Sequence, residues 1–420
     1  MNRKKPPNFW FPTLLQTANN IKSNSWFDIK TVENKNKTAL KNQSINITFL
    51  KSKKYIIYPN NEQKIILNKW YHNVISIYNI TNNYLKSYYN ANHKIESFFD
   101  VRKNLKSETD KIVALTQINK HILDYSIKHC IEMYKSAITN LKNKNIKQFD
   151  IKDLSYDKNR FNLVLEPGNF SKVKNGFCIS QLKEMKYDRN LNKLIQHNSI
   201  LQYNKNSNKY YLIVPTDSRL NTTLNRDEKC GIDLGVRTFA TIYSQNESIE
   251  VGTNLIPKID LYNKKVDKLR SQLDYNCISK KRFNKLIYKF GTKMRNRIDD
   301  LHKKLSVFLS KKFDIINIGK ISTKSIISNE NTKIQSITKR RAVALSFYKF
   351  LERLQIVGSK YNSQINFISE YKTSMTCSNC KNENKNLGSN KIYNCCKCNL
   401  IIDRDVNSSI NFYKGGYDCL

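Results

Sequence analysis

The sequence predicts a multidomain protein of mixed α/β and α+β class. In the N-terminal half, the strand-like runs FNLVLEP, GFCIS and KYYLIVP follow segments in which apolar residues recur at helical spacing. In the C-terminal half, the apolar runs FDIINIG and QINFIS flank a helix, and strand–helix–strand of this length is typical of a parallel βαβ crossover. With 420 residues, we expect two or three domains.

The N-terminal elements follow from composition and periodicity. Residues 1–45 are rich in Asn and Lys and predict a loosely ordered segment. The alternation in residues 46–60 predicts one or two strands, and helical spacing predicts helices over 62–86 and 117–143. With the strand-like runs of 160–216, this half is a β-rich unit interrupted by helices.

The C-terminal half begins with GIDLGVRTFATIYS and SIEVG, which predict a β-hairpin or meander. Residues 258–312 form a basic helical stretch with a break near 276–279. The helix between the two later strands carries a stripe of apolar residues at Ala344, Phe347, Leu351 and Leu354. We expect the strands on either side of this helix to be parallel neighbours.

The charge of the chain indicates a polyanionic partner. Its formal net charge is +39, and 24 Tyr and 19 Phe residues are interspersed with the cations, which suits backbone contacts and base stacking in nucleic acid. An AT-rich genome would also enrich Lys, Asn and Ile without selection for binding. No run of about 18 apolar residues is present, so no membrane span is expected. The basic start at 3–5 is a weak nuclear-import signal.

Cysteines are concentrated near the C-terminus and predict a structural zinc site. The pairs Cys377/Cys380 and Cys395/Cys398 each have CxxC spacing and can place four thiolates around Zn²⁺. Cys396 lies inside the second pair and is interpreted as a bystander. Clustering of this kind favours a metal site in a reducing compartment over a disulfide framework. The six His residues show no ligand spacing.

Two short acidic segments flank the cysteines in sequence. Asp233 lies in the apolar run GIDLG, whose glycines permit close backbone approach. Asp403 and Asp405 lie in DRDVN, where the last predicted helix begins. Each segment alone is explained by a cap or a turn. Their order, with CxxC…CxxC between them, is specific.

These segments resemble a known family. GIDLGVRTFATIYS, EYKTSMTCSNC and DRDVNSSINF are similar to the first RuvC motif, the approach to the zinc ribbon and the third RuvC motif of TnpB transposon nucleases and their Fanzor relatives. Type V CRISPR effectors are similar in the same region. The resemblance implies an RNase H-like (RuvC) domain at 226–372 plus 401–420, with a zinc ribbon inserted at 373–400. It also implies a β-barrel wedge domain at 46–225 with a helical recognition insert at about 62–145.

The same resemblance implies two Mg²⁺ ions held by three carboxylates. Asp233 and Asp405 match the first and third motifs, and Asp403 then caps the helix. The second motif of TnpB ends its strand with Glu, whereas this chain has Gly319 there. Glu370, before Thr373 and Ser374, resembles the displaced glutamate of Fanzors. Weaker candidates for the second carboxylate are Glu330 and Glu352.

The function implied by the resemblance is RNA-guided, metal-dependent hydrolysis of DNA associated with a transposable element. A guide RNA from the transposon end and target double-stranded DNA are the expected partners, and a monomer in the nucleus is expected. The missing glutamate at Gly319 supports an alternative, an inactive RNA-guided DNA-binding protein. A transposase or transposase accessory protein is a third possibility, because such proteins share the fold and the carboxylates.

Overall fold

The computed structural model describes residues 27–34, 38–157, 159–174, 176–191, 195–321, 323–327, 334–384, 386–388 and 390–415. Thr48–Ser218 form one compact unit, and Met1–Ile47 with Arg219–Leu420 form the other. The strands are β1 (Ile29–Glu33), β2 (Lys41–Tyr58), β3 (Arg160–Leu165), β4 (Lys186–Tyr187), β5 (Ser199–Asn204), β6 (Lys209–Leu234), β7 (Ala240–Tyr243), β8 (Glu247–Val251), β9 (Phe313–Gly319), β10 (Gln364–Ile368), β11 (Ile392–Asn394) and β12 (Ile401–Asp403). The helices are α1 (Asn61–Asn92), α2 (Phe98–Asn104), α3 (Lys106–Thr116), α4 (Lys120–Lys142), α5 (Ile179–Leu182), α6 (Leu255–Asp274), α7 (Lys280–Lys312), α8 (Thr323–Ile327), α9 (Ser336–Leu345), α10 (Phe347–Lys360) and α11 (Arg404–Lys414). None of these helices is long and apolar enough to cross a membrane.

The helices predicted over 62–86 and 117–143 are α1 and α4 of the Thr48–Ser218 unit. α1 begins at a capping box, in which Asn60 Oδ1 accepts from the Gln63 amide and Gln63 Oε1 accepts from the Asn60 amide, both at 2.8 Å. The apolar faces of the two helices pack together around Trp70 and Ile127, which are fully buried. Tertiary packing extends α1 beyond the predicted range, to Asn92.

The strands of this unit pair antiparallel, β3 with β5, β5 with β6, and β2 with β4. The described strands do not close into the predicted barrel. The strand expected at GFCIS was also wrong. Cys178 has a φ of 47°, in the left-handed region, and the chain then enters α5, so the run cannot continue as a strand.

The second unit is built on a mixed sheet with the order β1-β8-β7-β6-β9-β10. The segment β6–β7–β8 is the predicted antiparallel meander. β9 is parallel to β6, and β10 is parallel to β9, which confirms the predicted βαβ crossover. The carboxyl ends of these three parallel strands therefore meet at one edge of the sheet.

β1 corrects the expectation that residues 1–45 are loosely ordered. It pairs antiparallel with β8, and this pairing supplies backbone hydrogen bonds that composition does not reveal. β2 also begins before residue 45. Residues 1–26, including the basic start, and 35–37 lie outside the described residues.

Helices α6, α7, α9 and α10 pack together and bury the apolar side of the sheet. The predicted break at 276–279 is confirmed, since α6 ends at Asp274 and the Ser279 hydroxyl caps α7. The single helix expected around Ala344 and Leu354 is instead two helices. Ser346 separates them with a φ of 51°.

Arg226 ties the amino-terminal ends of the parallel strands together. Its guanidinium is completely buried and lies 3.0 Å from the Asp314 carboxylate. It also donates to the backbone carbonyl of Tyr361 and to the Ser363 hydroxyl. Removing it would leave the partly buried Asp314 carboxylate and the Tyr361 carbonyl without this donor.

We therefore expect Arg226→Met to lower the free energy of unfolding by about 3 kcal/mol. Lys304→Ala is the matched control, because its pair with Asp300 has both side chains 43 % exposed. Such a surface pair contributes about 0.5 kcal/mol. Urea unfolding followed by fluorescence measures both variants. Equal effects of the two substitutions would show that Arg226 does not hold the strand ends.

Candidate functional site

Asp233 lies at the carboxyl end of β6, on the side of the sheet opposite the apolar core. Its neighbours Ile232 and Leu234 are buried in the core, so Asp233 and Gly231 share the other face. Asp233 is partly buried. In register, Asp233 is paired with Thr241 of β7, which is paired with Glu250 of β8.

Gly231 allows α11 to approach β6 closely, as the sequence predicts for this glycine. A Cβ atom at position 231 would lie 2.1 Å from the Tyr413 backbone nitrogen and 2.2 Å from the Ser409 carbonyl oxygen. Any side chain here would therefore push the helix off the strand. A buried hydrogen bond of 3.0 Å from the Asn317 side-chain amide to the Phe412 carbonyl fixes the same helix to β9.

The first turn of α11 carries Asp405. Asp403 caps this helix, as predicted, because its Oδ1 accepts from the backbone amides of Asp405 at 2.8 Å and Val406 at 3.3 Å. Asp405 is partly buried, and burial together with the negative charge of Asp403 raises its pKa. The guanidinium of Arg404 opposes this increase.

Glu370 follows β10 and lies over Gly319, the last residue of β9. β9 and β10 are aligned so that Ile368 is paired with Gly319. A Cβ atom at position 319 would lie 2.9 Å from Glu370 Oε1 and 3.1 Å from Glu370 Cγ. The Glu370 side chain therefore occupies the place where a side chain of residue 319 would begin.

Glu370 and Asp405 both act electrostatically on Asp233. Burial raises the pKa of Asp233 well above its ordinary value, and the negative charges of Asp405 and Glu370 raise it further. The Glu370 side chain is accessible to solvent on one side, yet desolvation by the surrounding protein raises its pKa to about 7. Within the described part of the chain, no Lys, Arg or His forms an ion pair with any of these three side chains.

The oxygen atoms of these three carboxylates are more widely spaced than the ligand atoms that surround a single bound metal ion. Among the described residues, only the four cysteines place three or more potential ligand atoms within 4.8 Å of one another. Like charges repel, so carboxylates without a cation between them stay apart. The donor set consists of oxygen atoms alone, which is the set that Mg²⁺ prefers.

The four cysteines form a metal-ligand cluster. The Sγ atoms of Cys377 and Cys398 are 3.6 Å apart, and those of Cys380 and Cys395 are 3.4 Å apart. Thiolates around tetrahedral Zn²⁺, with Zn–S bonds of about 2.3 Å, stand about 3.8 Å apart, so these residues fit a zinc ion. Cys396 is exposed and outside the cluster, as expected for a bystander.

α11 also holds the cysteine knuckle. Asn407 accepts from the Ser378 amide at 2.9 Å and donates to the Thr376 carbonyl at 2.8 Å. Asn411 donates to the Thr373 and Thr376 carbonyls, each at 2.8 Å. The helix that presents Asp405 is thus bonded to the chain around Cys377, and sequence motifs alone did not reveal this connection.

Glu250 is a further acidic residue on the face that carries Asp233. Burial raises its pKa, and its side chain interacts electrostatically with Lys391, which forms a 3.5 Å ion pair with Asp403. The strand register places it there, so an alignment of the meander strands could have found it. Of the weaker candidates, Glu352 is exposed on α10 beside Tyr348, and Glu330 lies outside the described residues.

Comparison with known proteins was made on sequence and on structure. A family model described as the Cas12f1-like TNB domain matches residues 347–412. TnpB-like protein R854 of Acanthamoeba polyphaga mimivirus is 34% identical over 97% of this chain and 84% of the relative. TnpB-like protein L770 of the same virus is 34% identical over 97% of this chain and 86% of the relative. A cryo-EM structure of a Cas12f1–sgRNA–target DNA complex is similar with a TM-score of 0.35 and 16% identity, over 87% of this chain and 99% of that chain.

The fold and the site define a mixed α/β protein in which a four-cysteine metal-ligand cluster and a group of carboxylates share one helix. The chain belongs to the TnpB-like protein family. This finding confirms the resemblance to TnpB, while the narrower placement among Fanzors stays a prediction.

We expect one tightly bound zinc ion per chain, held by the cysteine cluster. Cys380→Ser should remove it and lower the melting temperature, because metal binding supplies much of the folding free energy of so small a knuckle. Cys396→Ser is the control and should retain the ion. Metal content by mass spectrometry and thermal melting measure both. Equal zinc loss in the two variants would contradict the assignment.

Proposed function

We propose that this protein is an RNA-guided DNA endonuclease that hydrolyses phosphodiester bonds with metal ions bound to Asp233, Glu370 and Asp405. The observation that carries the proposal is the position of Glu370 over Gly319, next to the strand that bears Asp233. The glutamate missing from the second motif is replaced in space by one from the neighbouring strand. Membership of the TnpB-like family supports the same reaction.

The architecture supports an RNase H-like, RuvC-type assignment for the Arg219–Leu420 unit. Its antiparallel meander β6–β7–β8 continues into the parallel strands β9 and β10, and helices cover one face. The three carboxylates come from the end of β6, from the residues after β10 and from the start of α11. Although they are far apart in the chain, Glu370 and Asp405 both act electrostatically on Asp233.

The chain's own residues prepare this site. The three carboxylates supply hard oxygen ligands, and Gly231 and Asn317 fix the helix that carries Asp405. Two Mg²⁺ ions bound there would activate water and stabilise the leaving oxygen of a phosphodiester. Zn²⁺ in the cysteine cluster would act structurally, because four cysteines leave no open coordination position.

The nucleic-acid partners proposed are a guide RNA and target double-stranded DNA. The net charge of +39 supports a polyanionic partner. The first half of α7 supports it more locally, because Lys280–Ile298 contain no acidic residue and expose a series of cations. These are Lys280, Lys281, Arg282, Lys285, Lys289, Lys293 and Arg295. A monomeric state and a nuclear location remain predictions.

A second candidate is an inactive RNA-guided DNA-binding protein, and one observation favours it. The residue at the end of β9 is Gly319, so the carboxyl end of this strand supplies no second carboxylate. Such a protein would bind guide RNA and target DNA without cutting. The two candidates differ in whether Glu370 acts as a metal ligand.

We expect the wild-type protein with its guide RNA to cut matched duplex DNA in Mg²⁺ and not in EDTA. Glu370→Gln should reduce the cleavage rate by at least about 100-fold, since it removes a charged ligand and keeps the shape of the side chain. Glu352→Gln, on α10, is the matched control and should cut normally.

Cleavage of labelled duplexes with a randomised flank measures the rates, and filter binding measures RNA affinity. Wild type that binds RNA and target DNA but never cuts would support the inactive protein instead. Full cleavage by Glu370→Gln would show that Glu370 is not a metal ligand, while the nuclease assignment would stand.

A further inference from the structure

Gly319 has no conformational reason to be glycine. It is not among the residues with a positive φ, so its backbone conformation is open to any L-residue. It ends a strand in which Phe313, Ile316 and Ile318 are buried apolar residues, and β-branched residues are favoured in strands. A glycine at such a position indicates that another group approaches the backbone closely.

Two side chains approach it. A Cβ atom at position 319 would lie 2.7 Å from Phe412 Cζ, 2.9 Å from Glu370 Oε1 and 3.1 Å from Glu370 Cγ. We call the space above Gly319, bounded by these two side chains, the Gly319 gap. Contacts under 3.0 Å to a Cβ atom are not tolerated, so even alanine would require both neighbours to shift.

The two neighbours differ in their freedom to move. Phe412 is completely buried on α11, and its backbone carbonyl accepts the hydrogen bond from Asn317. Glu370 lies beyond the end of β10 and is accessible to solvent on one side. A side chain at position 319 would therefore move Glu370 outward, away from Asp233.

We propose that Gly319 is a positioning residue whose missing side chain allows the Glu370 carboxylate to reach the site that contains Asp233 and Asp405. This inference rests on the proposed function, since it concerns the ligand role of Glu370. Glycine at position 319 is then a requirement for the metal site, and it does not indicate that the site has been lost. Gly319 touches no substrate and acts only through Glu370.

The alternative is that Gly319 serves packing alone, by leaving room for the Phe412 ring. The two explanations are separated by removing each neighbour in turn. Phe412→Leu shortens the ring side chain and relieves its crowding against an alanine at position 319. If packing alone mattered, Gly319→Ala would then have no effect on metal binding.

The test uses the full chain with its cysteine-bound metal and measures binding of Mn²⁺ by electron paramagnetic resonance. The variants are Gly319→Ala, Phe412→Leu, Glu370→Ala, and the two double variants that combine Gly319→Ala with each of the others. Gly291→Ala is the matched control, because a Cβ atom there meets only the mobile Arg295 guanidinium, at 3.2 Å. Melting temperature and cysteine-bound metal report whether each variant folds.

We expect Gly319→Ala to weaken Mn²⁺ binding at least tenfold in both the wild-type and the Phe412→Leu background. In the Glu370→Ala background, Gly319→Ala should cause no further loss, because the ligand it displaces is already absent. Cleavage with guide RNA should fall in parallel with Mn²⁺ binding. Gly291→Ala should bind Mn²⁺ as the wild type does.

Two outcomes overturn the inference. If Gly319→Ala in the folded Phe412→Leu background binds Mn²⁺ normally, Gly319 serves packing alone. If Gly319→Ala weakens Mn²⁺ binding equally with and without Glu370, it does not act through Glu370. Failure of the proposed function is distinct, because the wild type and Glu370→Ala would then bind Mn²⁺ equally and neither would cut.

Discussion

The seating of α11 on β6 is the contact on which the candidate site depends. It is possible only because residue 231 has no side chain, since a Cβ atom there would meet the helix backbone at 2.1 Å. The Asn317 amide then fixes the last turn of the helix to β9. A helix held at both β6 and β9 has little freedom to slide, so Asp405 in its first turn is presented to Asp233 at a defined place. The arrangement of the three carboxylates thus results from backbone packing and not from direct attraction, because the carboxylates repel one another.

The same helix links two sites of different chemistry. Asn407 and Asn411 bond to the backbone around Cys377, so metal binding by the cysteines would organise the chain against which α11 rests. Asp403 ends β12, which pairs with β11, and also caps α11. A change in the cysteine cluster would therefore reach Asp405 through one helix and a few hydrogen bonds. This connection is a physical route by which the cysteine cluster, which is not part of the carboxylate site, would affect that site.

The elements with strong local signals were predictable from sequence. The meander, the parallel pair β9 and β10, the break before α7 and the cysteine cluster all depend on periodicity or fixed spacing. The left-handed backbone at Ser346 was not predictable, because no glycine or turn motif marks this position, whereas the glycine at 176 does precede the left-handed Cys178. β1 was not predicted from sequence because its ordered structure comes from pairing with β8. The resemblance of the sequence to Fanzors named Glu370 as a candidate, but its position over Gly319 depends on the register of β9 and β10. Glu250 could be found only from the register of β6, β7 and β8.

The most direct test of the account is the location of divalent metal in crystals of the full chain soaked in Mn²⁺. An anomalous difference map would show where the ions lie. The account predicts density about 2 Å from carboxylate oxygens of Asp233, Glu370 and Asp405, with Glu370 remaining above Gly319. Density coordinated by Asp233 and Asp405 with Glu370 turned into solvent, or no density at this edge of the sheet, would contradict it.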